Sequence, residues 1–403
     1  MDKKPEKLVP EVRFKGFTDD WEQHKLGEIS FKVNTKNKEN LTLPVLSNSA
    51  EYGIVNQEDY FDKKIANRTD NYYIVKHNDF VYNPRISKKA PYGPIRRNTL
   101  DTKGLMSPLY YVFRINDGNY IYLDYYFKSS KWYKFMYQNG DSGARSDRFA
   151  IKDKIFQMMP INMPNTKEQN KIGQLIQTLQ KLIDLQQRKL NQLKRLKRAM
   201  LQQLFVDKNC KQPILRFKNF NDNWEERKLS DIANYRNGKA HEQYIDMNGI
   251  YTVVNSKFIS TNGKVKKFSN KPIELLKKGE IAFVLSDVPN GKALAKAYLI
   301  DSDNRYSLNQ RIAGITPSSD INSYFLYILM NRNRYFLKFD DGVGQTNLSK
   351  KDIEEFKENY PLFDEQQKIA NLFSKIQILI TLQQNKLTQL TTLKKYLLQK
   401  LFI

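Results

Sequence analysis

Residues Arg13–Ser30 read "RFKGFTDDWEQHKLGEIS", and residues Arg216–Ala233 read "RFKNFNDNWEERKLSDIA". Arg, Phe, Lys, Phe, Asp, Trp, Glu, Lys, Leu and Ile recur in register at an offset of 203, so that Trp21 answers Trp224 and Leu26 answers Leu229. The likeness continues downstream. "KHNDFVY" from Lys76 parallels "KKGEIAF" from Lys277, and "SPLYYVFRI" from Ser107 parallels "SLNQRIAGI" from Ser307. "GARSDRFAIKD" from Gly143 parallels "GVGQTNLSKKD" from Gly342, and "MPNTKEQNKI" from Met163 parallels "YPLFDEQQKI" from Tyr360. "LQQRKLNQL" from Leu185 matches "LQQNKLTQL" from Leu382, and "LQQLFV" from Leu201 matches the "LLQKLFI" of Leu397–Ile403. The offset falls in order through 203, 201, 200, 199 and 197, the trace of a tandem duplication with small deletions. Self-similarity over half a chain outranks any local signal in deciding architecture. Here it gives two copies of one unit, with a shared frame and different contents.

Each unit has two parts. The first, roughly 150 residues, is mixed α/β: short strand-like runs such as "YYIV", "DFVYN", "LYYVFRI", "EIAFVL" and "KAYLI" alternate with turns and polar loops. "YIYLDYYFKSSKWYKFMY" from Tyr120 and "INSYFLYILMNRNRYFLKF" from Ile321 read as aromatic helices in matching places, their rings assigned to the core. The second part is a long amphipathic helix of about 40 residues. Its apolar stripe is Ile172, Leu175, Ile176, Leu179, Leu182, Ile183, Leu190, Leu193, Leu196, Met200 and Leu204. The repeat supplies Ile369, Leu372, Phe373, Ile376, Leu379, Ile380, Leu387, Leu390, Leu393, Leu397 and Leu401. Thr166 with Gln169 and Asp364 with Gln367 have capping-box spacing after a proline. At 1.5 Å per residue each helix spans roughly 60 Å. Such a stripe needs a partner, and two copies in one chain can pair along it as a coiled coil, with a pseudo-twofold axis across its middle if the pairing is antiparallel. Gln186 and Gln383 fall on it at matching positions, either fixing register or reaching to solvent. The expected boundaries are 1–163 for the first globule, 164–206 for the central helix, 207–361 for the second globule and 362–403 for the distal helix.

The 403 residues carry a net charge of +24, from 67 Lys and Arg against 43 Asp and Glu. A polyanion is the natural partner for such a chain, nucleic acid above all. The alternative is the coding bias of an A/T-rich genome, which enriches Lys, Asn, Ile and Tyr together. No apolar run is long enough for a membrane span and the first ten residues lack the core of a signal peptide, so the expectation is a cytoplasmic protein without a membrane. One cysteine, Cys210, leaves no internal disulfide and no cysteine metal site.

Signatures of catalysis are missing. Gly238-Lys239, Gly263-Lys264 and Gly291-Lys292 are not followed by Ser or Thr, so no phosphate-binding P-loop exists, and no GxGxxG occurs. "YNPRI" at Tyr82 carries Arg85 where an amino-methyltransferase would carry a second proline. His24, His77 and His241 form no HxH or HxxxH pair.

The doubled "W…KL.[ED]I" at Trp21 and Trp224, the "P…EQ.KI" at Pro164 and Pro361, and the helices ending in "LQQLF" and "LQKLF" together make the chain resemble the DNA-specificity subunit of type I restriction–modification enzymes. The likeness spans the whole length. It implies two target-recognition domains related by a pseudo-twofold axis, mixed α/β in fold class and separated by two long antiparallel coiled-coil helices. It implies a non-catalytic chain whose two domains read the two halves of an asymmetric double-stranded DNA target. Two methyltransferase subunits dock on it and methylate adenine with S-adenosylmethionine, and restriction subunits that use ATP and Mg join them. The chain itself would hold no cofactor and no metal. Three readings stand beside this one: a stand-alone specificity factor for a fused nuclease–methyltransferase, a basic coiled-coil scaffold without sequence-specific binding, and an RNA-binding scaffold, ranked below the others because the aromatic residues read as core.

Lys and Arg on phosphates give affinity, and side chains on base edges give specificity. In the first globule "YNPRISKKAPYGPIRRN" (82–98) has five cations and no acid, and its prolines near Gly93 mark a loop. It nominates Tyr82, Asn83, Arg85, Lys88, Lys89, Arg96 and Arg97; "NGDSGARSDRFA" adds Arg145 and Arg148. Arg is the commonest reader of guanine O6 and N7. In the second globule "SDVPNGKALAK" (286–296) nominates Asn290 and Lys292, and "DDGVGQTNLS" (340–349) nominates Gln345, Thr346 and Asn347, of which Gln and Asn suit adenine. Ser349 is assigned to capping the next helix with Asp352. "SKFISTNGKVKKFSNK" (256–271) offers Lys257, Lys264, Lys266 and Lys267 to phosphates. For each of these the competing role is a solvated surface charge. "RKLNQLKRLKR" (188–198) is a DNA contact, a solvated helix face or a dock for acidic partner residues.

Overall fold

The computed structural model describes residues 8–62, 68–142, 147–206, 210–289 and 291–403. The chain divides into two compact units, one of residues 1–188 with 384–403, the other of residues 189–383. Four helices organise them: α1 (Tyr120–Lys128), α2 (Thr166–Leu204), α3 (Ser323–Met330) and α4 (Phe363–Lys400).

The first unit holds two four-stranded sheets. In one, Ser30–Lys32, Tyr111–Ile115, Phe80–Tyr82 and Ile95–Arg97 lie side by side, all antiparallel. In the other the order is Gly53–Asn56, Val45–Ser49, Gly104–Met106 and Tyr73–Val75, its central pair parallel. The second unit repeats both. Ala233–Asn237, Ile312–Pro317, Ile281–Val284 and Ala297–Leu299 form the antiparallel sheet. Phe268–Ser269, Tyr251–Val254, Tyr306–Leu308 and Leu275–Leu276 form the mixed one, again with its central pair parallel.

The repeated sequence motifs are the joints of this frame. Arg13 donates two hydrogen bonds to Glu168, from Nε at 2.9 Å and Nη2 at 2.8 Å. Arg216 does the same to Glu365, at 2.9 and 2.8 Å. The Lys of "EQ.KI" lies over the second Phe of the opening motif, Lys171 over Phe17 at 5.0 Å and Lys368 over Phe220 at 4.7 Å, a cation–π contact. Its Gln accepts the N–H that begins the aromatic helix: Asn119 N–H to Gln169 and Asn322 N–H to Gln366, both at 2.9 Å. Trp21 and Trp224 are buried in the two cores. The Arg and Glu are 155 residues apart in one copy and 149 in the other, so the motif recurs because it clamps each globule to its helix.

Capping of the long helices differs from expectation. Asn165, not Thr166, accepts the Glu168 N–H at 3.0 Å. Gln169 and Gln366 turn back to the carbonyls of Pro164 (2.8 Å) and Pro361 (2.9 Å), while Asp364 lies inside α4 and the Gln367 side chain bonds Asn322 and Asn371 instead of closing a capping box. Gly173 lets α2 approach α1, since a Cβ there would stand 3.2 Å from the Ile121 side chain. The aromatic runs form two helices each rather than one. Tyr133–Asn139 follows α1 after a break at Ser129, and Arg334–Leu337 follows α3 after Arg332, whose φ is +60°. Their rings are core as expected: Tyr122, Tyr126, Phe127, Trp132, Phe325 and Phe336 are all buried.

Within each unit the long helices run antiparallel. Ile172 and Ile176 share a core with Leu397, Leu401 and Phe402 in the first, and Met200 and Leu204 share one with Ile369 and Phe373 in the second. One cross-helix hydrogen bond recurs, from Lys394 Nζ to Gln180 Oε1 and from Lys197 Nζ to Gln377 Oε1 at 2.7 Å. Gln383 is buried and Gln186 half-buried. Pairing does not cover the whole stripe. Leu182 and Leu379, at matching positions, are 42% and 51% exposed, and Leu196 and Leu393, also matching, are 43% and 46% exposed.

Candidate nucleic-acid interface

In the first globule the strand Phe80–Tyr82 leaves its sheet at Asn83. The Asn83 amide donates to the Asn48 carbonyl at 2.8 Å, and its Oδ1 accepts the Arg85 N–H at 3.0 Å, a local turn that projects the next residues outward. The segment then meets the second candidate loop. Phe149 N–H donates to the Pro84 carbonyl at 2.8 Å and Ile86 N–H to the Asp147 carbonyl at 3.0 Å. Arg85 and Arg148 therefore stand opposite each other on a short antiparallel bridge, both exposed. Like charges placed opposite across strands repel, and an anion bound between them would relieve the repulsion.

The second globule builds the same tip from different side chains. Leu348 N–H donates to the Leu285 carbonyl at 2.8 Å, and Ser286–Asp287 pairs with Thr346–Asn347. Ser286 and Asn347 occupy the places of Arg85 and Arg148. Gln345 Nε2 donates to the buried Ser286 Oγ at 2.7 Å and to Asn347 Oδ1 at 3.2 Å, so that two exposed amides stand in place of two guanidinium groups. Asp287 organises the neighbouring loop by accepting the N–H groups of Ala293 (2.6 Å) and Leu294 (3.1 Å). A Cβ on Gly291 would lie 2.1 Å from that carboxylate, so a larger residue there would displace the Asp287 side chain from these hydrogen bonds. Sequence reasoning nominated both loop pairs, and the fold brings each pair together.

The nominated residues divide by what they touch. Arg85, Lys88, Arg148, Lys257, Lys264, Lys266, Lys267, Lys292, Gln345 and Asn347 are exposed. Lys89 is exposed and paired with Glu51 at 2.8 Å. Arg145 and Asn290 lie outside the described residues. The segment 82–98 is not a loop throughout, because Tyr82 pairs with Ile95 and Val81 with Arg96 as strands. Tyr82 is 4% exposed, donates its hydroxyl to the Tyr92 carbonyl at 3.0 Å and stacks on Phe156 at 4.9 Å; it holds the loop rather than reaching out. Burial pushes its pKa well up. Between the strands Gly93 has φ +81°, and a Cβ there would be 2.1 Å from the Asn83 carbonyl oxygen. Asn83 is likewise spent on the turn. Arg96 donates to the Ala50 carbonyl at 2.9 Å and Arg97 to Asn78 Oδ1 at 2.8 Å. Thr346 is buried, its hydroxyl 3.4 Å from Asp340. Ser349 caps Lys350–Glu354 in a capping box with Asp352, as its spacing indicates.

The histidines are structural or peripheral. His241 is fully buried between the Lys239 carbonyl and Ser307 Oγ, both at 2.7 Å. Among the described residues no cluster of His, Cys, Asp and Glu has the makings of a metal site, and no helix is long and apolar enough to cross a membrane. Sequence reasoning passed over Lys128 and Lys394, which share a cleft with Arg96 and Arg97. Only the fold unites them, since Lys394 is far from the others along the chain.

Comparison with known proteins agrees with this architecture. The family described as "Type I restriction modification DNA specificity domain" matches twice, over residues 18–195 and 221–392. The type I restriction enzyme MjaVIII specificity subunit of Methanocaldococcus jannaschii is 24% identical over 278 residues, covering 62% of this chain and 63% of that protein's own length. A type I restriction–modification S subunit from M. genitalium superposes with a TM-score of 0.62 at 17% identity, over 98% of this chain and 99% of that one. A chain from a study of complex assembly and conformational transition of the type I R-M system gives 0.53 at 14% identity, over 95% and 97%. The two matched stretches coincide with the two copies of the frame, and the chain belongs to the type I restriction–modification DNA specificity family.

Proposed function

We propose that each globule reads one half of an asymmetric bipartite DNA target and that the long helices set the gap between the halves. The observation that carries this reading is the pair of tips. One backbone frame bears Arg85 and Arg148 in the first copy and Ser286, Gln345 and Asn347 in the second. Arginine suits guanine and amides suit adenine in the major groove, so the two halves of the target differ. Charge of +24 supplies the non-specific attraction that brings the chain to DNA.

In this reading the chain is non-catalytic. Adenine-methyltransferase subunits bind it in two copies, using S-adenosylmethionine, and restriction subunits using ATP and Mg join through them. The exposed leucines recur at matching positions in both units, as a partner that binds twice requires. Such apolar side chains in a row favour a protein partner. The test is to map methylated adenines in cells with and without this chain. A two-part motif with a fixed gap that disappears with the chain supports the proposal, and an unchanged methylome refutes it.

A further inference from the structure

A cleft of about 390 Å³ lies within the first unit, where the strand Ile95–Arg97 and α1 meet the long helices. Arg96, Arg97, Lys128 and Lys394 open on it, against two carboxylates, Asp124 and Glu51. Asp124, 5% exposed, is shared: it holds Lys128 at 2.8 Å and stands 3.9 Å from Arg97 Nε. Glu51 is taken by Lys89. Arg96 has carbonyl acceptors only, Ala50 and Ile95 at 2.9 Å each, and Lys394 has Gln180. Arg97 Nε is buried without an acceptor among the described residues. Positive charge in the cleft therefore exceeds negative. Burial pushes down the pKa of Lys394, with the neighbouring Lys128 ammonium adding to the effect, and burial also pushes down that of Arg96.

The cation cluster is not part of the repeated frame. The cross-helix Lys–Gln bond recurs as Lys197–Gln377, but Tyr327 and Asn331 stand where Asp124 and Lys128 would be. A structural need for the Lys–Gln bond is thus met in both copies, while the cluster belongs to the first alone. Glu51, on its lining, pairs with Lys89 of the candidate reading loop.

We infer that this cleft seats one phosphate of the DNA backbone beside the half-site read by the first globule, which rests on the proposed DNA-binding function. Guanidinium and ammonium donors satisfy a phosphate with strong, charge-assisted hydrogen bonds. A phosphate contact fixes register and reads no base.

The test compares the full chain, with any methyltransferase subunit that co-purifies with it kept in place, as wild type, as Lys128→Gln/Lys394→Gln and as Lys197→Gln. Duplex affinity is measured against salt for the target and for a scrambled sequence. The double variant should shift the slope of log K against log salt by about 0.9 towards zero, one phosphate contact. It should weaken both duplexes by one factor, leaving the preference for target unchanged. Lys197→Gln, which loses the same cross-helix bond, should keep the wild-type slope. A double variant with the wild-type slope, or with altered sequence preference, overturns the inference while the proposed function stands. Inorganic phosphate replacing chloride at constant ionic strength should weaken wild-type binding more than that of the double variant. If phosphate raises the melting temperature of wild type alone and leaves its DNA affinity unchanged, the cleft serves a free anion and the inference fails. A wild type that binds no duplex removes both this inference and the proposed function.

Discussion

Arg13 and Glu168 face each other through two parallel hydrogen bonds, and the Glu168 side chain is fully buried. The carboxylate holds the guanidinium pKa above its usual value. Removing one partner strands a buried charge, at a cost of about 3–5 kcal/mol for such pairs. Arg13→Ala should therefore destabilise the chain by about 3 kcal/mol in urea unfolding, and Arg13→Lys, which cannot form the fork, should recover only part of it. Arg216→Ala should behave alike in the second copy.

Glu280 predicts an acid-sensitive step in the second unit. Burial favours its neutral form, but Arg236 (2.5 and 2.7 Å), Thr316 (2.6 Å) and the Lys277 N–H (2.7 Å) outweigh burial and hold the pKa below the ordinary 4.5. A carboxylate with a lowered folded pKa contributes stability in full above its unfolded value and loses it as pH falls through the folded one. Urea midpoints should drop as pH falls below about 4.5, and Arg236→Met should flatten that limb of the profile.

Base reading should be separable between the halves. Arg85→Ala or Arg148→Ala should relax methylation specificity in one half-site, by about 1–3 kcal/mol at a single position. Gln345→Ala with Asn347→Ala should act on the other half. Sequencing methylated sites reads both, and loss of both halves from one variant would contradict two independent readers.

Inserting four residues into each long helix should lengthen the gap in the methylated motif by about two base pairs, since four residues rise about 6 Å. Both half-sites should keep their bases. An unchanged gap would refute the spacer role of α2 and α4.

Leu182→Asp and Leu379→Asp should each reduce the number of methyltransferase subunits that co-purify, and together abolish binding. Both side chains are exposed, so unfolding temperatures should shift little. Full partner occupancy in the double variant would exclude this surface as the dock.

The duplication, the mixed α/β content and the helix lengths were legible because repeats and 3.6-residue periodicity are local signals. The loop pairs were legible too, since Gly93 and Gly291 mark turns and the 82–98 segment carries five cations and no acid. Other features depend on distant partners. Nothing near Arg13 names Glu168, and nothing in "YNPRI" tells that Tyr82 packs on Phe156 while Arg85, three residues on, is exposed. The stripe spacing likewise gives no sign that Leu182 stays uncovered, because periodicity marks an apolar face and not which of its residues a partner helix reaches.

Phe402 and Leu401 lie in the core of the first unit with Trp21 and Tyr122, the Phe402 and Tyr122 rings 5.3 Å apart. The N-terminal globule thus leaves the ribosome with its hydrophobic seat for residues 384–403 unfilled. At about 5–20 residues per second, the interval between synthesis of Arg188 and Gln384 is roughly 10–40 s, during which that apolar seat faces solvent without its own chain segment.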